Sequence, residues 1–344
     1  MGMKTRVIVD DGAHNAFTDL VFWHGCFWLA YVSSPSHFAS RKSRVVLLRS
    51  DDAHDWRKTR EFAAAGQDIR DPKLGMIGGQ LFLFALLNRK FDPQPYATIV
   101  ARSDDGLVWG EFEAMKPEGW LLGRPILVGE AWYAAAHRID QGRAVLMKSS
   151  TGLDWEITSV IHEAHEGHEE RADETAVHLL EDGGMLAVTR LEAGSGIFGS
   201  SRAGTLVSVS ASPFSTWTAL AKSSLTRLDG PNVFGVGARV FAVGRRQTRV
   251  SGPFQGQGSA FGKKRTALFL VQEHSGELVH LTDFPSSGDC SYAGVAIAAG
   301  KVVISYYSND PRRDHPWMVG MFMPTRILVA VLDSSNFTKQ EGER

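Results

Sequence analysis

The chain has 344 residues, 43% of them hydrophobic, with 37 basic against 38 acidic side chains and a formal net charge of −1. That composition is enough for a packed core and lacks the basic excess of a nucleic-acid-binding protein, so no nucleic-acid partner is expected. No apolar run is long enough to cross a membrane, the start Met1-Gly2-Met3-Lys4-Thr5-Arg6 lacks an apolar leader, and the two cysteines, Cys26 and Cys290, cannot build a disulfide framework; the expectation is a cytoplasmic protein with two buried free thiols, no membrane partner and no cofactor.

Along the chain, strand signals recur and helix signals are nearly absent. The first run is Arg6-Val7-Ile8-Val9, followed by an opening at His14-Asn15-Ala16-Phe17. Further openings of the same kind follow at Arg70-Asp71-Pro72-Lys73, Gly123-Arg124-Pro125-Ile126, Asp173-Glu174-Thr175-Ala176, Gly230-Pro231-Asn232-Val233 and Ser291-Tyr292-Ala293-Gly294. Each begins a strand-like run beside polar residues, passes a Gly-containing turn and enters a second run. The strands are short, rich in β-branched and aromatic residues, and often apolar on both faces: Arg44-Val45-Val46-Leu47-Leu48, Gln80-Leu81-Phe82-Leu83-Phe84, Ala267-Leu268-Phe269-Leu270-Val271 and Lys301-Val302-Val303-Ile304-Ser305. The openings lie roughly 50 to 60 residues apart, the length of a four-stranded unit, which predicts a propeller. The stretch from Thr248 to Arg265 reads as a long surface loop. The last run, residues 326–332, is expected to share the sixth blade with the first, because such closure removes a free sheet edge. The prediction is an all-β, six-bladed β-propeller occupying residues 1–344 as one domain, with blades opening near 14, 70, 123, 173, 230 and 291.

A second repeat runs in register with the first. Ser103-Asp104-Asp105-Gly106-Leu107-Val108-Trp109 is echoed by Ser149-Ser150-Thr151-Gly152-Leu153-Asp154-Trp155 and by Ser50-Asp51-Asp52-Ala53-His54-Asp55-Trp56, with a looser copy from Ser212 to Trp217. Asp and Ser side chains in such a turn bond local amides, Gly takes positive φ and Trp packs on the blade. This pattern resembles the Asp-box repeats of sialidase-like propellers.

In such blades the starts of the inner strands, the ends of the second strands and the loops that follow share one mouth. Those positions gather His14, Arg70, Asp71, Arg124, Glu174, Asn232 and Tyr292, and add His137, Arg190, Arg245, Tyr306 and His37. Buried arginines are costly without anions, so their ring predicts a carboxylate or other anionic ligand. The segment from Glu174 to Arg190 resembles the sialidase hairpin in which a Glu precedes an Arg of the carboxylate-binding triad; Arg245 is similar to a further triad Arg, and Ser291-Tyr292 to Ser305-Tyr306 resembles the final sialidase blade. The resemblance implies that Tyr292 attacks the anomeric carbon, that Glu174 raises its nucleophilicity, and that Arg190 and Arg245 hold the carboxylate of an anionic carbohydrate; Arg70, Arg124, Asn232 and Tyr306 are expected to bind the substrate from their places at the mouth. The chain departs from that family at three points. His14-Asn15-Ala16 stands where an Arg-Ile-Pro motif would supply an Arg, Ser34-Pro35-Ser36-His37-Phe38 holds no carboxylate for the acid/base role, and Tyr307 follows Tyr306 in place of a Glu. His37 or Asp71 then becomes the candidate acid.

The chain bears two other resemblances. His14 and His37, with Tyr292 and the arginines, resemble the sites of propeller polysaccharide lyases, where a cation neutralises a uronate and His or Tyr moves the proton. Asp68-Ile69-Arg70-Asp71-Pro72-Lys73 resembles the Arg-Asp-Pro motif of five-bladed fructan-active hydrolases. The readings in order are a glycoside hydrolase acting on a carboxylate-bearing sugar, a uronate lyase, and a non-catalytic glycan-binding propeller. In the run from His162 to Glu170, histidines at positions 162, 165 and 168 have a spacing that suits a metal. Gly167 and the want of a fourth ligand favour a solvated loop, and no metal site is expected.

Overall fold

The computed structural model describes residues 3–88, 97–164, 170–194, 196–224, 226–251 and 254–338. They form six antiparallel sheets arranged as the blades of a propeller. The first strand, β1 (Lys4–Val9), belongs to the last blade. Blade 1 is β2 (His14–Trp23), β3 (Cys26–Ser34), β4 (Arg44–Ser50) and β5 (Arg57–Phe62); blade 2 is β6 (Asp68–Ile77), β7 (Gln80–Asn88), β8 (Thr98–Ser103) and β9 (Glu113–Ala114). In blade 3 the inner edge is split: β10 (Leu121–Leu122) and β11 (Ile126–Val128) both pair with β12 (Ala131–Arg138), followed by β13 (Arg143–Ser149) and β14 (Glu156–Glu163). Blade 4 is β15 (Glu170–Leu179), β16 (Met185–Ala193), β17 (Gly204–Ser210) and β18 (Thr218–Ser223), and blade 5 is β19 (Asp229–Val236), β20 (Arg239–Gln247), β21 (Lys264–Val271) and β22 (Leu278–Asp283). Blade 6 runs β23 (Cys290–Ala298), β24 (Lys301–Ser308), β25 (Arg326–Asp333) and then β1, so strands from both ends of the chain complete one sheet. The described helices, α1 (Trp317–Gly320) and α2 (Ser335–Thr338), are single turns, and none is long and apolar enough to cross a membrane.

The strands are apolar on both faces because each blade packs against two others. Phe84, Val100, Val145 and Met147 join blades 2 and 3; Phe241, Leu268, Ile304 and Leu328 join blades 5 and 6; Leu29, Leu47, Leu83 and Tyr307 lie in the cluster spanning blades 6, 1 and 2. Each such side chain contributes roughly 1.5–3 kcal/mol by leaving water. Cys26 and Cys290 are both buried free thiols, and burial pushes Cys290 up to about 12.

The turns that resembled Asp boxes share one hydrogen-bond pattern. In the second copy the Gly106 amide donates to Ser103 Oγ (2.8 Å), the amides of Leu107 and Val108 donate to Asp105 Oδ1 (both 2.8 Å), and Trp109 Nε1 donates to the Gly106 carbonyl (2.9 Å). Thr151 Oγ1 takes the Asp role in the third copy, and Ala53 holds φ 63° where the others have Gly. At Gly106, φ is 76° and a Cβ would lie 2.3 Å from the Trp28 ring, so the turn is pressed onto the next blade.

The inner strands share a second feature, which sequence periodicity did not reveal. The register slips at one place in β2, β6, β15, β19 and β23: two residues oppose one between Ala16 and Asp19, Arg70 and Lys73, Ala172 and Thr175, Asp229 and Asn232, and Ser291 and Gly294. Each is a one-residue β-bulge. Pro72 and Pro231 occupy bulges, where the missing N–H costs no ladder bond. Phe17, Asp71, Gly230 and Tyr292 adopt φ of 55°, 49°, 56° and 46° there, a conformation that turns their side chains off the regular pleat.

Within the stretch Thr248 to Arg265, expected as a long surface loop, the described residues up to 263 are tied to their neighbours. The Ser200 and Gln257 backbones pair, the Ala260 amide donates to the Ile197 carbonyl, and Met318 N donates to Ala260 O. Lys264 is not in the loop at all; it is buried in β21 with Nζ 2.7 Å from Gln247 Oε1.

Candidate active site

The bulged ends of the inner strands surround a cavity of about 450 Å³ at the channel mouth, within the range that small ligands occupy. Its wall includes Phe17, His37, Arg70, Asp71, Lys73, Arg124, Glu174, Asn232 and Tyr292. At its centre the Tyr292 hydroxyl donates to Glu174 Oε1 at 2.5 Å, while Arg190 Nη1 donates to Glu174 Oε2 (2.6 Å) and to the Tyr292 oxygen (3.3 Å). The pair comes from bulges in blades 4 and 6, and Arg190 from the second strand of blade 4. Burial, then the Glu174 charge, raise the Tyr292 phenol well above its ordinary value. Burial also raises Glu174, with Asp173 adding to the effect and Arg190 opposing it. The phenol therefore keeps its proton at neutral pH and has an acceptor in contact to receive it.

His37 enters from the loop after β3. Its Nδ1 is 2.6 Å from Asp289 Oδ2, and the ring lies edge-on to Phe38 and Trp317 and tilted against Phe17. With Nδ1 committed to a carboxylate, Nε2 is the nitrogen left for a ligand. Asp289 is a buried hub: its Oδ1 also accepts from Arg245 Nη1 (3.0 Å), Trp317 Nε1 (2.9 Å) and the Tyr307 hydroxyl (3.1 Å).

The expectation that the arginine ring must wait for a ligand anion is corrected by the chain's own carboxylates. Arg70 is held by Asp68 (2.5 and 3.0 Å) and the His37 carbonyl (3.0 Å), and Arg124 by Asp19 (2.5 Å) and the Ala293 carbonyl (2.8 Å). Both line the cavity with their charge already met by these carboxylates. Arg190 is enclosed by Glu174, Glu192, Asp173 and Asp229. Arg245, 1% exposed, is bound by Asp229 and Asp289 beneath Tyr292 and does not reach the cavity; Arg246 points away to Asp283. Each bulged inner strand thus carries a buried acid at or beside its mouth end: Asp19, Asp68, Asp173, Asp229 and Asp289. Asn232 lines the cavity, but its Nδ2 donates to the Ala293 carbonyl (3.0 Å).

Two candidates lie elsewhere. His14, 1% exposed, sits below the cavity with Nδ1 2.7 Å from the Met323 carbonyl and Nε2 3.1 Å from Asp289 Oδ2, so it braces the hub and touches no ligand space. Tyr306 faces blade 5, packed on Phe284 with its hydroxyl bonded to the Pro285 carbonyl; alternation along β24 sends Tyr307 to the blade 1 side instead. Residues 165 and 168 of the histidine run are outside the described residues, and His162 lies in β14 opposite Ala144. The one cluster among the described residues with metal-ligand spacing is His14, His37 and Asp289, whose contacts are accounted for by hydrogen bonds.

No family model matches the chain, and no curated protein matches it. Solved structures do. A protein of unknown function from Dyadobacter fermentans superposes with a TM-score of 0.71 at 16% identity over 96% of this chain and 99% of that one. The phage phi92 endosialidase gives 0.70 at 10% identity, covering 99% and 70%. The Trypanosoma rangeli sialidase bound to sialic acid gives 0.68 at 13% identity, covering 98% and 60%. The chain has the six-bladed, sialidase-like propeller fold. At these identities the likeness is one of architecture.

Proposed function

We propose that the protein is a glycoside hydrolase acting on a sugar that carries a carboxylate, with Tyr292 as nucleophile. The observation that carries this reading is the 2.5 Å hydrogen bond from the Tyr292 hydroxyl to Glu174 in the cavity wall, with Arg190 behind both. In the proposed step the phenolic oxygen bonds to the anomeric carbon as its proton passes to Glu174. The bond from that carbon to the leaving oxygen breaks, and the leaving oxygen takes a proton from His37 Nε2. Water later reverses the sequence and releases the sugar. A phenol that stays neutral until it reacts avoids setting a formal negative charge against an anionic substrate, and Arg190 steadies the carboxylate that receives the proton.

The test is a panel of aryl glycosides of acidic sugars with the wild-type protein and Tyr292→Phe. The substitution keeps the ring and removes the nucleophile, so hydrolysis should fall on the order of 10³-fold or more. Unchanged turnover would remove Tyr292 from the role. β-Elimination beside a uronate is the second reading, favoured by the His37–Asp289 pair, which leaves Nε2 able to act as a base. Elimination generates an ultraviolet-absorbing unsaturated uronate, whereas hydrolysis releases reducing sugar without it.

A further inference from the structure

The cations lining the cavity are not equivalent. Arg70 and Arg124 are each already paired at 2.5–3.0 Å with a carboxylate of the chain, so a ligand anion would be a second counter-ion to a charge the fold has met. Lys73, the first residue of β6 to rejoin the ladder after the bulge, is different. It lines the cavity, and its Nζ reaches only the carbonyl oxygens of Pro72 (3.3 Å) and Asp71 (3.5 Å). Among the described residues no carboxylate lies within ion-pair distance of it. Asp71 on its own strand, Arg124 from blade 3, Asp19 from blade 1 and Glu174 from blade 4 act on its charge through space without pairing with it.

We propose that Lys73 is the anion-recognising residue of the cavity, its ammonium taking the carboxylate of the bound sugar. This rests on the reading of the site as one for an acidic sugar. An ammonium has three donors, and here two are spent on long carbonyl contacts. Burial also pushes Lys73 below its ordinary value, so an incoming carboxylate would restore a partner that the fold withholds. Arg70 and Arg124, neutralised internally, then shape the wall, while Arg190 holds the Tyr292–Glu174 pair. Lys73 fixes which sugars enter, and because it lines the same cavity as Glu174 and Tyr292, the bound carboxylate would share the space that the reacting pair faces.

The test measures binding of D-glucuronate, N-acetylneuraminate and the methyl ester of each by ligand-observed NMR with wild-type protein, Lys73→Met, Lys73→Arg and Tyr292→Phe. Wild type is expected to bind at least one acid about tenfold more tightly than its ester, the worth of one charge-assisted contact. Lys73→Met should lose that ratio while leaving ester binding unchanged, Lys73→Arg should keep it, and Tyr292→Phe should keep it while abolishing turnover. Retention of the acid preference in Lys73→Met would overturn the proposal, as would a wild-type protein that binds neither acid or binds them no better than the esters. Loss of the ratio in Lys73→Met without turnover by any form would sink hydrolysis and leave the Lys73 assignment standing.

Discussion

Gly230 lies directly under the Tyr292 ring, and replacing it with Ala tests whether catalysis depends on where that ring sits. A Cβ at Gly230 would be 2.6 Å from Tyr292 Cδ1, whereas ordinary contact begins at 3.4 Å, so the ring must retreat by about 0.8 Å. It cannot do so freely: Phe17 stands edge-on at 5.1 Å and the Arg245 guanidinium at 5.3 Å. A shift of this size breaks the 2.5 Å hydrogen bond to Glu174. Misplacement near 1 Å costs on the order of 10²-fold in rate. The backbone adds a separate penalty, since φ is 56° at Gly230 and Ala in that region costs about 1–2 kcal/mol. Gly237→Ala is the control, because φ there is 58° but the new Cβ would meet only Thr338 Cγ2, at 3.5 Å. Both variants should lose the backbone term in urea titrations, Gly230→Ala more because the clash adds to it, and only Gly230→Ala should lose about 10²-fold in kcat/KM on the acidic aryl glycosides. Equal activity in the two variants would refute the claim that Tyr292 acts from this position.

Two further outcomes follow from the buried charges. Asp289→Asn leaves the buried Arg245 with Asp229 alone and should cost about 3–5 kcal/mol in urea denaturation, with a loss under about 1 kcal/mol counting against the hub. Its ion pairs and hydrogen bonds hold the Asp289 carboxyl well below its ordinary value despite burial, so this stabilisation is present above the unfolded value of 3.8 and is lost as pH falls through the lower folded one; acid unfolding of the wild type should lie below that point. Activity should show the opposite displacement. In the proposed step Glu174 accepts the phenol proton and so must be ionised; it is raised by burial and then by Asp173, so kcat/KM should fall as pH drops through a value above 4.5. Asp173→Asn should move that limb to lower pH, and an unmoved limb would assign it to another group.

The architecture was legible because a blade is a local unit. Strand, turn and strand repeat along the sequence, and the Ser103-to-Trp109 pattern recurs at the same phase in its copies. Glu174 and Tyr292 were legible as a hairpin and a strand start, and their contact spans blades 4 and 6. The partners of the arginines were harder to see. Asp19 lies five residues past its strand start, Asp68 and Asp229 open theirs, Asp173 sits in a bulge and Asp289 just precedes β23, so no fixed offset marks them. A search for one acid near every inner strand would have found the set. Tyr306 was misread because two adjacent tyrosines in a doubly buried strand give no clue to which neighbouring blade each faces. Lys73 was passed over because its isolation is a matter of what surrounds it, and sequence does not report distances.

The shared bulge separates two kinds of constraint on the same strand. On the channel side of the slip, alternation must agree with blade packing; on the mouth side it starts again from a new phase. A one-residue deletion at position 17, 71 or 292 would restore a regular ladder in which both halves keep their partners, and would remove only the side chain that the bulge turns toward the mouth. The ring therefore behaves as a fixed chassis with five independent dials, each able to present a new side chain to the mouth without repacking the blade that carries it.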